Sequence, residues 1–192
     1  GDGEKSQWLL HRMKKDAAAP PPAPAPPSPA SAPTPAPMLA TSSNAALGRH
    51  AATRWGPWVE FKWDGVRALG VWDGEHLRLR ARSGADITAR YPELTGGDPG
   101  FGAAPCVVDG EIVALDDRNR PSFSLLQHRM HLTKAADIDR ESARIPVQFL
   151  LFDVLEIDGT DAASLPLSQR RELLEGVAGG AIDPIVVPPV AS

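Results

Sequence analysis

Residues 17 to 37 consist of Ala, Pro, Ser and Thr and hold half of the chain's 20 prolines. Proline fixes φ and removes a backbone donor, so such a run builds neither helix nor sheet ladder. It also carries too little apolar side chain to bury a core. The segment therefore reads as a semi-stiff, polyproline-like linker. It divides the chain into three: residues 1–16, the linker over 17–36, and a folded domain over 37–192. From Gln7 to Lys15 apolar and basic residues mix like a strand or short helix whose packing partners are absent, which is expected of the tail of a preceding domain.

The part after the linker has the means to fold, since 42% of all residues are hydrophobic. The single cysteine, Cys106, excludes an internal disulfide and a cysteine-rich zinc site, and fits a reducing, cytoplasmic compartment. No apolar run is long enough to cross a bilayer. Gly1 to Lys15 lacks the ordered parts of a secretory leader and the chain does not begin with methionine, so it is expected to be a piece of a longer polypeptide. A net charge of -4 argues against a basic nucleic-acid coat, and any DNA contact must be local.

Short runs of β-favouring residues at Trp58 to Trp63, Val66 to Trp72 and His76 to Arg82 are punctuated by Asp64-Gly65 and Asp73-Gly74, which predicts an antiparallel meander. Val107 to Leu115 and Val147 to Leu155 read as central strands, the second buried on both faces because it is nearly continuously apolar. Ser122 precedes a helical spacing of apolar residues through Met130. Ser168 to Glu175 reads as a second short helix ended by Gly176. The predicted class is α+β.

On an extended strand Glu60, Lys62 and Asp64 would share one face and Phe61 and Trp63 the other. By itself that is an ordinary solvated charge pattern. The chain carries its own control, because Trp-Asp-Gly recurs at 72–74 without a lysine before it or an arginine after it. What distinguishes the first copy is Glu60, Lys62 and Arg67.

Lys62-Trp63-Asp64-Gly65-Val66-Arg67 resembles the Lys-x-Asp-Gly-x-Arg signature of the covalent nucleotidyltransferases, the group of DNA ligases, RNA ligases and mRNA capping enzymes. Arg82-Ser83-Gly84, Val108-Asp109-Gly110-Glu111 and Phe149-Leu150-Leu151-Phe152-Asp153-Val154-Leu155 follow in that group's order. Pro37-Met38-Leu39-Ala40-Thr41, Thr88-Ala89-Arg90-Tyr91-Pro92-Glu93-Leu94 and Leu165-Pro166-Leu167-Ser168-Gln169-Arg170-Arg171 narrow the resemblance to ATP-dependent DNA ligases. They are similar to the ligase part of bacterial DNA ligase D, the multifunctional enzyme of end joining. Trp8 to Lys14 is similar to the end of that enzyme's 3′-phosphoesterase domain.

The resemblance implies an antiparallel-sheet-rich, ATP-grasp-like nucleotidyltransferase domain, present in part. It implies that Lys62 attacks the α-phosphate of ATP, and that AMP then passes to a 5′-phosphate of nicked or broken double-stranded DNA. A free lysine amine titrates near ~10.4, so its use as a nucleophile needs nearby positive charge or desolvation; Arg67 and Mg²⁺ or Mn²⁺ are the candidates. Glu60 would fix adenine, Arg67 and Arg82 would hold ribose and phosphate, Phe152 would stack on the base, and Glu111 would contact ribose or metal. A Ku-like end-binding protein is the implied partner, a membrane is not, and a bacterial, nucleoid-associated location follows.

Blander readings accompany these roles. Arg78, Arg80 and Arg82 share a strand face, and such a row is solvated or binds phosphate. Asp109-Gly110 is a turn and Phe152 a core residue when read alone. His128 and His131 are surface residues lacking a third ligand, and Cys106 is a small core residue. An RNA ligase or a capping-type enzyme would keep the fold, whereas a non-catalytic binding module would use the charges at an interface. The later Glu-Gly-x-x-x-Lys and Lys-x-Lys segments of the family do not occur, so residues 1–192 alone are expected to be deficient in ligation and in self-adenylylation.

Overall fold

The computed structural model describes residues 34–39 and 59–190, together with the backbone of Trp8–Leu10. The strands are β1 (Trp8–Leu10), β2 (Val59–Phe61), β3 (Val66–Trp72), β4 (Leu77–Ala81), β5 (Cys106–Ala114), β6 (Val147–Ile157), β7 (Thr160–Asp161) and β8 (Ile185–Val186). The helices are α1 (Pro92–Thr95), α2 (Phe123–Met130), α3 (Ala135–Arg144) and α4 (Leu167–Ala178), with a 3-10 turn at Thr88–Arg90. Most of the linker, Trp58, and Ala40-Thr41 lie outside the described residues.

One sheet in the order β4-β3-β5-β6-β7, with β8 parallel to β6, organises the domain. The predicted α+β class holds. β5 and β6 are central, as their apolar runs require, and pair antiparallel along nearly their whole length. Alternation then sorts the side chains. Ala68, Trp72, Leu77, Leu79, Val108, Ile112, Phe149, Leu151 and Val154 enter the main core with Leu126, Leu174 and Tyr91. Leu69, Val107 and Leu155 form a small second cluster, which belongs to the other face, since Leu69 pairs with Asp109 and Arg80 in register.

Three expectations need correction. The strand foreseen over 58–63 is only Val59–Phe61, and it does not join the meander. β3 already has β4 on one edge and β5 on the other, so β2 pairs instead with β1. Trp8–Leu10 thereby finds a backbone partner that the sequence did not indicate. The last helix is longer than 168–175 and runs through Gly176 to Ala178. A mid-helix glycine costs about 1 kcal/mol, less than the burial of Leu174 and Ala178, both wholly inaccessible. Helix α3 is not legible in the sequence, because only Ile138 among its apolar residues is buried; Arg140 and Arg144 pair with Asp137 and Glu141 along its surface.

A buried arginine pins the helical side of the core. Arg129, fully inaccessible on α2, donates to both Glu93 oxygens at 2.7 and 3.1 Å and to the carbonyls of Ile145 and Arg90. Its guanidinium lies 5.6 Å from the centroid of Tyr91. These bonds tie α1 and α2 to the approach to β6.

Candidate functional site

The entrance to β3, the middle of β5 and the middle of β6 meet on the sheet face away from the main core. Register places Arg67 opposite Glu111, Leu69 opposite Asp109, and Asp109 opposite Asp153. Side chains directly opposite in an antiparallel pair share a face. Arg67 and Glu111 therefore stand side by side although 44 positions separate them in sequence.

Arg67 is oriented by a two-point grip. Its Nε donates to Asp109 Oδ1 at 2.9 Å and its Nη2 to Oδ2 at 2.6 Å, while Nη2 also donates to the Met38 carbonyl at 2.5 Å. The bond to Asp109 raises the arginine's pKa further, so the guanidinium is permanently charged. Asp109 is wholly buried; burial pushes its carboxyl above the ordinary range and the Arg67 fork pulls it back. The Nη1 donors bond no described residue. The guanidinium carbon also lies 5.5 Å from the centroid of the half-buried Phe152 ring.

Glu111 is the most strongly shifted group here. Burial pushes its carboxyl up to about 7, against the pull of Arg67, the Gly65 N–H and Lys62. Lys62, exposed just past β2, is thus within electrostatic reach of this carboxylate. Phe61 and Trp63 stack with centroids 5.3 Å apart and an interplanar angle of 28°, so the expected alternation about Lys62 persists although the strand ends at Phe61. Glu60 is half-buried; burial raises its carboxyl pKa, with Arg171 lowering it and Asp153 raising it. That places Glu60 near the β6 end of the cluster.

The two Trp-Asp-Gly copies use glycine for different reasons. Gly74 has φ +100° and forms a true turn. Gly65 has no such backbone; a Cβ there would fall 2.2 Å from the Ile112 carbonyl oxygen and 2.9 Å from Glu111 Cγ. Asp64-Gly65 is therefore a close approach to β5, not the hairpin turn that the dipeptide suggests. Asp109-Gly110 is not a turn either, since it lies inside β5, where a Cβ on Gly110 would meet the Leu150 carbonyl oxygen at 2.6 Å.

Of the residues singled out in the sequence, Glu60, Lys62, Arg67, Glu111 and Phe152 are gathered at one end of this face. Arg82 is not in the cluster. It is exposed, one residue past β4, and the Ala68–Ala81 pairing puts it beside the Arg67 end of the sheet without a bond to a described residue. Arg78 pairs with Asp73 at 3.2 Å and Arg80 donates to the Gly84 carbonyl, so two of the three row arginines have local partners. His128 and His131 are exposed, and burial pushes the Cys106 thiol up to about 12, as befits an inert core residue.

Residues that sequence reasoning passed over complete the arrangement. Asp153 accepts from Arg170 Nε at 2.7 Å and Nη2 at 2.9 Å, and Arg171 donates to Glu175 and to the Pro188 carbonyl. A signal existed, because a carboxylate inside the apolar run 147–155 requires a cationic partner. Among the described residues no group of three His, Cys, Asp or Glu is placed to hold a metal. Glu111 could supply one carboxylate to a hard cation that takes its other oxygens from water and phosphates. The chemistry fits, since its negative form is disfavoured until a positive charge approaches.

The raised Glu111 carboxyl predicts a stability effect. Its folded state keeps a proton between pH 4.5 and about 7 that the unfolded state releases, so stability falls as pH rises through that window. Glu111→Gln removes the penalty. It should melt higher than the parent at pH 8, by about 2–4 °C for each kcal/mol relieved, and the difference should vanish towards pH 4.5. Thermal unfolding at several pH values checks this, and a gain of equal size at pH 4.5 and 8 would contradict it.

The ATP dependent DNA ligase domain family matches residues 37–186. The multifunctional non-homologous end joining protein LigD of Mycolicibacterium smegmatis is 34% identical over 183 residues, covering 94% of this chain and 20% of its own length. LigD of Mycobacterium tuberculosis is 36% identical over 172 residues, 90% of this chain and 20% of its own. The chain thus spans about a fifth of the length of these curated relatives. A solved mycobacterial DNA ligase D complexed with ATP and MES superposes with a TM-score of 0.57 at 35% identity, over 70% of this chain and 40% of that one.

Proposed function

The chain belongs to the ATP-dependent DNA ligase domain family, and on that premise we propose that it supplies the modified lysine, Lys62, and part of the nucleotide site for the adenylylation step of a DNA end-joining ligase. The Lys62 amine attacks the α-phosphorus of ATP. A P–N bond forms, the bond to the bridging oxygen of the β-phosphate breaks, pyrophosphate leaves with the electron pair, and the amine proton passes to water. AMP is then handed to the 5′-phosphate of nicked or broken double-stranded DNA, and the adjacent 3′-hydroxyl displaces it.

The observation that carries this reading is the convergence of Arg67, Glu111 and Phe152, from three strands, with Lys62, from the segment just past β2, on the face turned away from the core. Asp109 pre-orients Arg67 so that its unbonded Nη1 edge serves ribose or phosphate, an arrangement that needs no reorganisation when charge develops. Phe152, covered on one side by Arg67, offers its other side to the base. Glu60 contacts the base from the end of β2, Glu111 binds ribose or Mg²⁺ or Mn²⁺, and Arg82 joins the phosphates from the neighbouring strand end. Such a cation would neutralise phosphate charge. Residues 1–16 serve as the tail of a preceding domain, a Ku-like protein is the partner at DNA ends, and the setting is the bacterial cytoplasm. No helix among the described residues is long and apolar enough to cross a membrane.

The test is labelling of the full-length polypeptide carrying these residues with α-labelled ATP and Mg²⁺, followed by denaturing electrophoresis. Covalent label displaced by unlabelled ATP but not by equal GTP is expected. Displacement by GTP would instead indicate a capping-type enzyme. Absence of covalent label would sink the adenylylation reading and favour a binding module.

A further inference from the structure

Phe152 stands at a break in the sheet, and the break turns the next residue, Asp153, onto the face that Phe152 already occupies. Gly110 pairs with Leu151 and Asp109 with Asp153, so Phe152 has no partner across the ladder. In a regular strand Leu151 and Asp153 would face one way and Phe152 the other. Here Leu151 is in the main core, Phe152 meets Arg67, and Asp153 lies across from Asp109. The bulge thus delivers two successive side chains to the site face, a known use of such irregularities.

Something must hold that bulge, and Asp153 is fastened at three points. Its Oδ1 accepts from the Val154 N–H at 2.9 Å, and both oxygens accept the Arg170 fork at 2.7 and 2.9 Å. Arg170 is anchored in turn by donating from Nη1 to the Leu165 carbonyl at 2.6 Å, just before α4. Both side chains are nearly inaccessible, at 8% and 10% exposure. A buried ion pair is poor evidence for stability, because well-packed apolar residues of similar volume often serve as well; conformational specificity is the better-founded reason to retain one. The neighbourhood sharpens this. Asp109 and Asp153 stand opposite each other across the ladder, and each is gripped by its own arginine.

We propose that Arg170 is a positioning residue for nucleotide binding: through Asp153 it locks the β6 bulge at which Phe152 stands unpaired, and so fixes the place of that ring. The assignment rests on the reading of Phe152 as the base platform. Arg170 itself touches neither ATP nor the reacting atoms. Its influence is on ATP affinity, not on the chemical step.

Self-adenylylation of the full-length polypeptide, followed against ATP concentration, separates the two quantities. Arg170→Lys keeps the charge but loses the fork. Asp153→Leu combined with Arg170→Met replaces the pair by apolar packing. In both, the half-saturating ATP concentration should rise about fivefold, the scale of one ring contact, with the limiting rate within about twofold and the fold intact by thermal unfolding. Phe152→Ala should raise it similarly, and adding Arg170→Lys to it should bring no further rise, as for two residues acting as one unit. A folded Arg170 variant with the parent's ATP dependence would overturn the proposal. So would effects of Arg170→Lys and Phe152→Ala that multiply, or loss of the folded state in both Arg170 variants, which would make the pair a strut. If Phe152→Ala alone leaves ATP dependence unchanged, the platform reading fails and takes the proposal with it. Loss of labelling in the parent would instead strike the adenylylation reading.

Discussion

Lys62→Ala is expected to take no covalent label from α-labelled ATP, in a protein that melts where the parent melts. Both halves of that result follow from position. Lys62 is exposed and lies outside the strand that ends at Phe61, and exposed substitutions away from special features change stability by about ±0.5 kcal/mol or less. Its amine is nevertheless near enough to Glu111 to influence that carboxyl. If the amine supplies the new P–N bond, no neighbouring group replaces it, and the loss reaches assay background. Lys62→Arg should be equally inactive, because guanidinium retains its proton and is no nucleophile. Label that survives Lys62→Ala would place the acceptor elsewhere.

Asp109→Ala is expected to give the largest loss of stability among the site residues, about 3–5 kcal/mol, the range for removing one partner of a buried ion pair. Asp109 is wholly inaccessible, and its two oxygens take two Arg67 donors. Alanine leaves the guanidinium facing Phe152 and the Met38 carbonyl without its counter-charge and opens a small void beside Gly110. Asp109→Asn keeps the volume and one acceptor and should lose less. Denaturant unfolding monitored by tryptophan fluorescence measures both. A loss below about 1 kcal/mol for Asp109→Ala would mean that the pair is not the anchor of the clamp. The same variant should also bind ATP more weakly, since Arg67 is then free to choose other rotamers.

The central strands were legible because period and composition act locally. The apolar runs at Val107 and Val147 could not be satisfied except in the middle of a sheet, and β5 and β6 lie there. The Ser122 cap worked for the same reason, its Oγ accepting from the Leu125 N–H at 3.5 Å. Local chemistry misled where packing overruled it. Gly176 has the preference of a helix stop, yet α4 passes through it to bury Ala178. Asp64-Gly65 has the preference of a hairpin turn, yet its glycine serves contact with Ile112. Trp8–Leu10 looked unpartnered only because its partner strand lies 49 or more residues on.

The candidate site divides along the same line. Motif order was enough to name Glu60, Lys62, Arg67, Glu111 and Phe152, since each is a side-chain type whose chemistry can be read without coordinates. The residues that aim them were not legible in that way: Asp109 gripping Arg67 across 42 positions, and Arg170 gripping Asp153 across 17. Those pairs exist only once the ladder register brings Leu69 opposite Asp109 and a bulge turns Asp153 onto the same face as Phe152. Register is a cooperative property of the whole sheet, decided by which arrangement buries the most apolar surface. The linear order of residues therefore determined the chemical groups and the family, while the direction in which those groups point was decided by tertiary packing.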